Sequence, residues 1–551
     1  MGLFIKKPLS LLQAEAETSG QHTLKRVLGP IGLIAFGVGV IIGAGLFSIT
    51  GTVAAEYSGP AISLSFAIAA IGCAFAGLCY AEFASMIPVS GSAYTYSYAT
   101  MGELVAWIIG WDLVLEYTVA AITVAISWSQ YFVKFLADMG INLPMELTAC
   151  SWDGGVINLP AALIVVCMSL FLIRGTRESS LINDIIVFLK VSVIVVFIVL
   201  GWQYIKADNL TPYIPENTGV LGEYGWSGVL RGAAVVFFAF LGFDAVSTAA
   251  QETRNPKRNM PLGILCSLLV CTILYITFGH VMTGVAHYTE FSGQEGMAPV
   301  AIAIDHMGTV DANGNLVSNY PWLNKAITLA ILFGYCSVIL VQLMAQSRIF
   351  MSMSHDGLLP PVFSKIHSRF RTPVHNTLIF MTVISVLAAL IPARLAGEMT
   401  SIGTLFAFSL VCAGVLIVRK TLPHVPRTFQ TPFVPYVPLA GILVCVGLML
   451  FLPADTWIRL VVWMLIGLDI YSHYSIRHSH LESGMQKRRR GMTTLNVLCI
   501  GLGTLCIVTG FWHQQTVGWA SDKLMFGIAV LFGLAHIGYY VHRLWLTTKE
   551  N

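Results

Sequence analysis

Charge is what this sequence has least of. Only 11% of its 551 residues are Asp, Glu, Lys or Arg, against about 25% in a soluble domain. That shortage, with 56% hydrophobic residues and a mean hydropathy of +0.75, excludes a soluble globular protein and points to a polytopic membrane protein. There is no Walker A sequence, so ATP is not the obvious energy source, and the residues around Gly102 make no dinucleotide fingerprint. Cysteine and histidine nowhere fall at metal-ligand spacing. Of the eleven cysteines only Cys150 lies in a loop, so no disulfide framework is expected. No metal, cofactor or nucleic acid is expected, and nothing in the sequence identifies a partner protein. The segment from Met1 to Pro8 has too short an apolar run for a signal peptide and no cleavage site, so the first membrane helix is expected to be retained.

What the chain does have is long apolar runs. Candidate membrane spans lie at 31–54, 60–84, 104–136, 159–173, 183–205, 227–250, 262–286, 322–353, 374–391, 398–418, 434–452, 457–475, 493–512 and 521–545, fourteen in all. Charge placement tests that count. With the N-terminus inside, the inner segments hold 23 of the 31 Lys and Arg, while the long acidic segment 287–321 has none and reads as outside. Both termini are therefore expected on the cytoplasmic side of the cell (inner) membrane. Residues 85–103 read either as a short amphipathic segment on the inner face or as a solvated turn. The basic run 486–490 reads as a topological anchor against anionic membrane lipid.

The first span is weakened at its centre by Gly37, Gly39, Gly43 and Gly45, four glycines in nine positions. If the helix breaks at Gly43-Ala44-Gly45, N–H groups of one half and C=O groups of the other meet near the bilayer midplane. N–H groups suit a carboxylate and C=O groups an ammonium, and a free amino acid carries both. The competing reading is that small residues let neighbouring helices pack closely. A second interruption favours the binding reading. The sixth span carries Gly242 with Asp244 two positions later, a costly residue in mid-membrane unless it faces protein or water. The interrupted spans are five apart. Five is odd, so a five-helix repeat would be inverted relative to the first, and matching breaks in inverted halves point to a transporter's binding site.

Several blocks resemble a known family. Ile42-Gly43-Ala44-Gly45-Leu46-Phe47 resembles the first-helix signature of the amino acid–polyamine–organocation superfamily, and Pro88-Val89-Ser90-Gly91-Ser92-Ala93-Tyr94 its loop after helix 2. Gly110 to Tyr117, Gly242 to Thr248, Glu252 with Asn255-Pro256, Gln346 to Phe350 and Met353 to Pro360 look like the cationic amino acid transporter branch. The likeness runs from about residue 25 to 420, with the blocks in the family's order. It implies an all-α integral membrane protein of LeuT type: two inverted five-helix repeats, at 30–206 and 207–420, with helices 1 and 6 broken. A tail at 1–29, four further helices at 421–545 and a cytoplasmic end at 546–551 complete the division. The implied activity is secondary amino acid transport by alternating access, as proton-coupled symport with an exchange mode. The alternatives are an obligate exchanger or a polyamine transporter.

The same resemblance places the amino acid at the break around Gly43, with its carboxylate at the backbone N–H groups near Ala44 and Gly45. Its ammonium would meet carbonyls near Ile41 and Ile42 and in the 237–241 stretch, where Phe237, Phe238, Ala239 and Leu241 lie, with Phe237 or Phe238 covering the site. Lys190 sits in the apolar centre of span five, where proton-coupled relatives hold a lysine. Its ammonium would reach carbonyls around Gly39 and Val40 and carry the coupling proton, an amine held away from water being able to load and unload one. The competing reading is a lysine snorkelling to the interface. Asp112 and Glu116 are four residues apart and share a helix face; Glu116 either lines the pocket or fixes helix 10. Glu252 and Arg254 are expected in a cytoplasmic gate with Arg348 or Asp356. A channel would need a repeated filter sequence, and an intramembrane enzyme would need catalytic groups inside spans; neither is seen.

Overall fold

The structure is a computed structural model that describes residues 2–8, 29–87, 92–174, 179–247, 253–292, 299–310, 316–368, 370, 372–480, 485–517 and 523–549. Each of the fourteen apolar runs carries helix. Eight helices are long and apolar enough to cross a membrane, and Pro30–Ile41, Leu159–Arg174, Gly225–Phe240 and Val374–Leu390 are shorter apolar helices. The eleventh and twelfth runs form Tyr436–Phe451 and Ala454–His478, bent by 115° at the junction. Backbone groups in lipid must pair within their own segment, which is why hydropathy and helix coincide so closely. Outside that pattern, Gly308–Val310 and Leu316–Ser318 pair as a small antiparallel hairpin in the segment read as an outer loop.

Both expected interruptions are present. The first span is helical over Pro30–Ile41, extended at Ile42, and helical again from Gly45. The sixth is α-helical over Gly225–Val236, tightens to a 3-10 turn over Phe237–Phe240, breaks at Leu241 and Gly242, and resumes at Phe243. Gly242 has φ +115°, a conformation that only glycine adopts without strain. The two breaks cross each other: a methyl group on Gly45 would stand 2.3 Å from Ala239 Cα, and one on Gly242 would stand 2.7 Å from the Val40 side chain.

The polar-aromatic stretch after span two is neither a solvated turn nor an interfacial segment over its described part. Residues Ser92–Thr100 form a helix whose Tyr94, Tyr96 and Tyr98 are all buried. Tyr96 stacks on Phe83, and Tyr94 Oη donates to Asp356 at 2.7 Å. Pro88 to Gly91 lie outside the described residues. So does Glu252, so its gate pairing has no structural counterpart. Asp356 pairs with Lys7 of the N-terminal segment at 2.9 Å.

Candidate functional site

The Ile42 N–H still donates to Val38 O at 3.0 Å, completing the inner half of span one. The outer half then begins afresh, with Leu46 and Phe47 N–H both bonding Gly43 O at 3.2 Å. Gly43, Ala44 and Gly45 thus form a helix N-terminus, where amides have no partner inside the helix and attract negative charge. Facing them, the inner half ends in carbonyls left over by the break.

Side chains from two other spans fasten those carbonyls. Lys190 Nζ donates to Gly39 O at 2.9 Å, Ile42 O at 3.2 Å and Ser337 Oγ at 3.1 Å. An ammonium has three hydrogens, and all three are used. The lysine therefore turns inward to protein, at 1% exposure, and does not snorkel. Its second carbonyl belongs to Ile42 and not to Val40, because the helix ends one turn past Gly39 and turns the Ile42 carbonyl out of the ladder. Tyr275 Oη lies against Ile41 O at 3.0 Å and Ala239 O at 2.9 Å, so one hydroxyl touches both broken helices. Outward of the break, Tyr131 Oη donates to Phe47 O at 2.5 Å, and Ser48 and Tyr335 share a bond of 2.9 Å.

A cavity of about 10 Å³, the space of roughly one water, lies where the breaks meet. Val40, Ile41, Gly43, Ala44 and Gly45 form its backbone wall, Phe238 and Leu241 come from span six, Val124 from span three, and Val338 and Gln342 from span eight. Of the residues expected at the substrate, Ile41, Gly43, Ala44, Gly45, Phe238 and Leu241 therefore line it. Ile42 and Ala239 stand behind it, their carbonyls held by Lys190 and Tyr275. Phe237 packs edge-on against Phe408 at 5.7 Å, so of the two aromatics it is Phe238 that lines the cavity.

Glu116 is not in the lining. It is fully buried on span three, and neither carboxylate oxygen has a hydrogen-bond partner among the described residues; the same holds for Asp112. Nearby, Asp244 caps the inner half of span six, accepting from Gly242 N at 3.2 Å and Tyr117 Oη at 2.6 Å. Asp112 sits 3.2 Å from where a Gly403 methyl would be, so it faces span ten.

Residues 28–471 match the family described as amino acid permease. This chain belongs to that family. It is 44% identical over 486 residues to the branched-chain amino acid permease BcaP of Bacillus subtilis, covering 87% of this chain and 99% of the relative. It is 42% identical to the methylthioribose transporter of the same organism, with the same coverage. Similarity extends to plants: the vacuolar cationic amino acid transporter 4 of Arabidopsis thaliana is 30% identical over 85% of this chain and 95% of its own. The permease is thus an all-helical, multi-pass membrane protein with the LeuT-type fold of its family, and it is a transporter and not an enzyme.

Sequence reasoning missed Val124, Val338 and Gln342 in the lining of this permease's candidate site, and Tyr275 and Ser337 behind it. A tyrosine in Ile273-Leu274-Tyr275-Ile276 and a glutamine in an apolar helix are usable signals, because a buried hydroxyl or amide in lipid needs a partner. Which partner it finds depends on neighbours far away in sequence.

Proposed function

We propose that this permease carries an amino acid across the cell membrane by alternating access, coupled to protons through Lys190, with both termini in the cytoplasm. The family and the names of its relatives support the amino acid; the crossed breaks, offering amides to a carboxylate, support the location of the site. The observation that carries the coupling is the bonding of Lys190. Its ammonium ties span five to the unwound part of span one and to Ser337 of span eight with no carboxylate among those partners. Protonated, it holds the three spans together and favours the conformation that binds substrate. When the proton leaves, an amine has one donor fewer, the tie loosens, and the inner half of span one is free to move.

Uptake into proteoliposomes from pH 5 to 8, with and without a proton gradient, tests this. Lys190→Ala is expected to lose the pH dependence and the gradient-driven accumulation while exchange survives. Retained pH dependence in the variant, or a strict sodium requirement in the wild type, would overturn the coupling. A panel of the twenty amino acids and methylthioribose in a thermal-shift assay identifies the cargo, since a ligand stabilises the state it binds.

A further inference from the structure

Gln342 is 2% exposed, lines the cavity at the crossed breaks, and its carboxamide oxygen has no hydrogen-bond partner among the described residues. The other side chains around it, Val124, Phe238, Leu241 and Val338, are hydrocarbon. Gln342 lies one helical turn from Val338 on span eight, and Val338 is the side chain nearest to Gly43, 3.4 Å from where its Cβ would be. The backbone wall of the cavity serves the two charges of an amino acid. The span-eight wall is what remains for its side chain.

We propose that Gln342 sets the selectivity of this permease, accepting a hydrogen bond from the side chain of a small, uncharged amino acid that carries a donor near its β-carbon, as serine and threonine do. The inference rests on the amino acid reading above. A cationic side chain finds no anion among the described lining residues: Glu116 and Asp112 precede Val124 by eight and twelve residues, which places them ~12 and ~18 Å further along the helix, and Asp244 is outside the lining, accepting from Gly242 N and Tyr117 Oη. A buried unpaired charge is too costly to accept. A purely aliphatic side chain placed against this wall seals an unpaired carboxamide oxygen away from water, which costs about 1–3 kcal/mol. Sites built to hydrogen-bond a substrate reject the isostere that lacks the group. Threonine and valine are that isosteric pair.

The test is competition against the best-transported amino acid of the panel, in wild type and in Gln342→Met, Gln342→Leu and Gln342→Glu. In wild type, threonine should compete about tenfold better than valine, with lysine and ornithine inert. In Gln342→Met and Gln342→Leu the threonine-to-valine ratio should fall to about one or invert, whatever the overall rate. In Gln342→Glu lysine and ornithine should begin to compete, because the cavity then holds an anion. The ratio is the readout because a merely structural glutamine would lower uptake of both substrates alike. An unchanged ratio in both apolar variants, or valine outcompeting threonine in wild type, would overturn the selectivity proposal and leave amino acid transport intact. If wild type takes up none of the twenty, the amino acid reading itself falls, and this inference with it.

Discussion

A methyl group on Gly45 would stand 2.3 Å from Ala239 Cα and 2.9 Å from its amide nitrogen, whereas one on Gly43 would meet only Val338, at 3.4 Å. The two glycines read alike in the sequence, and both a packing role and a ligand role were open. The structure assigns close packing to Gly45 and leaves room at Gly43. Gly45→Ala must push two backbones apart, an overpacking cost of about 1–3 kcal/mol, and is expected to lower the melting temperature and abolish uptake. Gly43→Ala should fold normally and keep measurable uptake, while Gly43→Leu should keep its stability and lose ligand-induced stabilisation. A Gly43→Leu variant that still binds amino acids would place the site elsewhere. Tyr275→Phe removes the hydroxyl shared by Ile41 O and Ala239 O. Its cost is about 1–3 kcal/mol for carbonyls left short of a donor, so a lower melting temperature and a raised KM are expected together. A change in neither would show that the clamp is idle.

At the scale of elements, a short N-terminal segment packs across the start of span three and the end of span eight. Lys7 bonds Asp356 at the end of span eight, Lys7 N–H donates to Tyr98 O at 3.1 Å, and Glu103 N–H donates to Ile5 O at 3.0 Å. Gly102, at φ +100°, is where a side chain would strike the Phe4 backbone at 2.5 Å, so the strap needs a glycine beneath it. The strap joins spans three and eight on the side where substrate would leave. Lys7→Ala and Asp356→Asn are each expected to favour the inward-open state by about 1–2 kcal/mol, the scale of a hydrogen bond to a charged group. Cysteine labelling from the cytoplasmic side should rise by a similar factor in both, and the double variant should add little, because the two changes remove one interaction. Additive effects would show that the pair does not act as a unit.

At the scale of the molecule, the four C-terminal runs are attached to the five-plus-five core through the third span. Trp111 and Trp463 stack at 4.5 Å and each indole N–H donates to the other's carbonyl, at 2.9 and 3.0 Å. Trp107 Nε1 donates to Gly467 O at 3.0 Å, and Tyr471 Oη donates to Glu103 at 2.9 Å. A second attachment lies at Glu82, which pairs with Arg419 at 2.9 Å and Arg427 at 3.1 Å and accepts from Thr431 N at 2.9 Å. These helices brace span three, which carries Val124 of the cavity. The proposed orientation rests on the charge split and is tested by labelling in a cysteine-free background. Leu221→Cys, 75% exposed, should react from outside, and Ile366→Cys, 56% exposed, only after permeabilisation. The reverse pattern would overturn the orientation.

The sequence by itself determined what needs only local chemistry. Lipid forces backbone groups to pair within a segment, so the apolar runs could be read as helices, and glycine at 43, 45 and 242 marked where two of them fail. It also singled out Lys190, because a lone ammonium in an apolar run must find oxygen somewhere. Tertiary structure alone decided which oxygens, since Gly39, Ile42 and Ser337 are brought to Lys190 by two other spans whose contacts lie up to 151 residues apart in the chain. It decided likewise between Phe237 and Phe238, adjacent residues of the same type that a 3-10 turn points in different directions. The place of Glu116 was left open between the pocket and helix 10 for the opposite reason: helical spacing gives the face a residue shares but not its depth along the axis, and in the structure it is not among the lining residues of the cavity. Periodicity fixes a residue's angle around its own helix. Only the packing of one helix on another sets the height at which two of them meet.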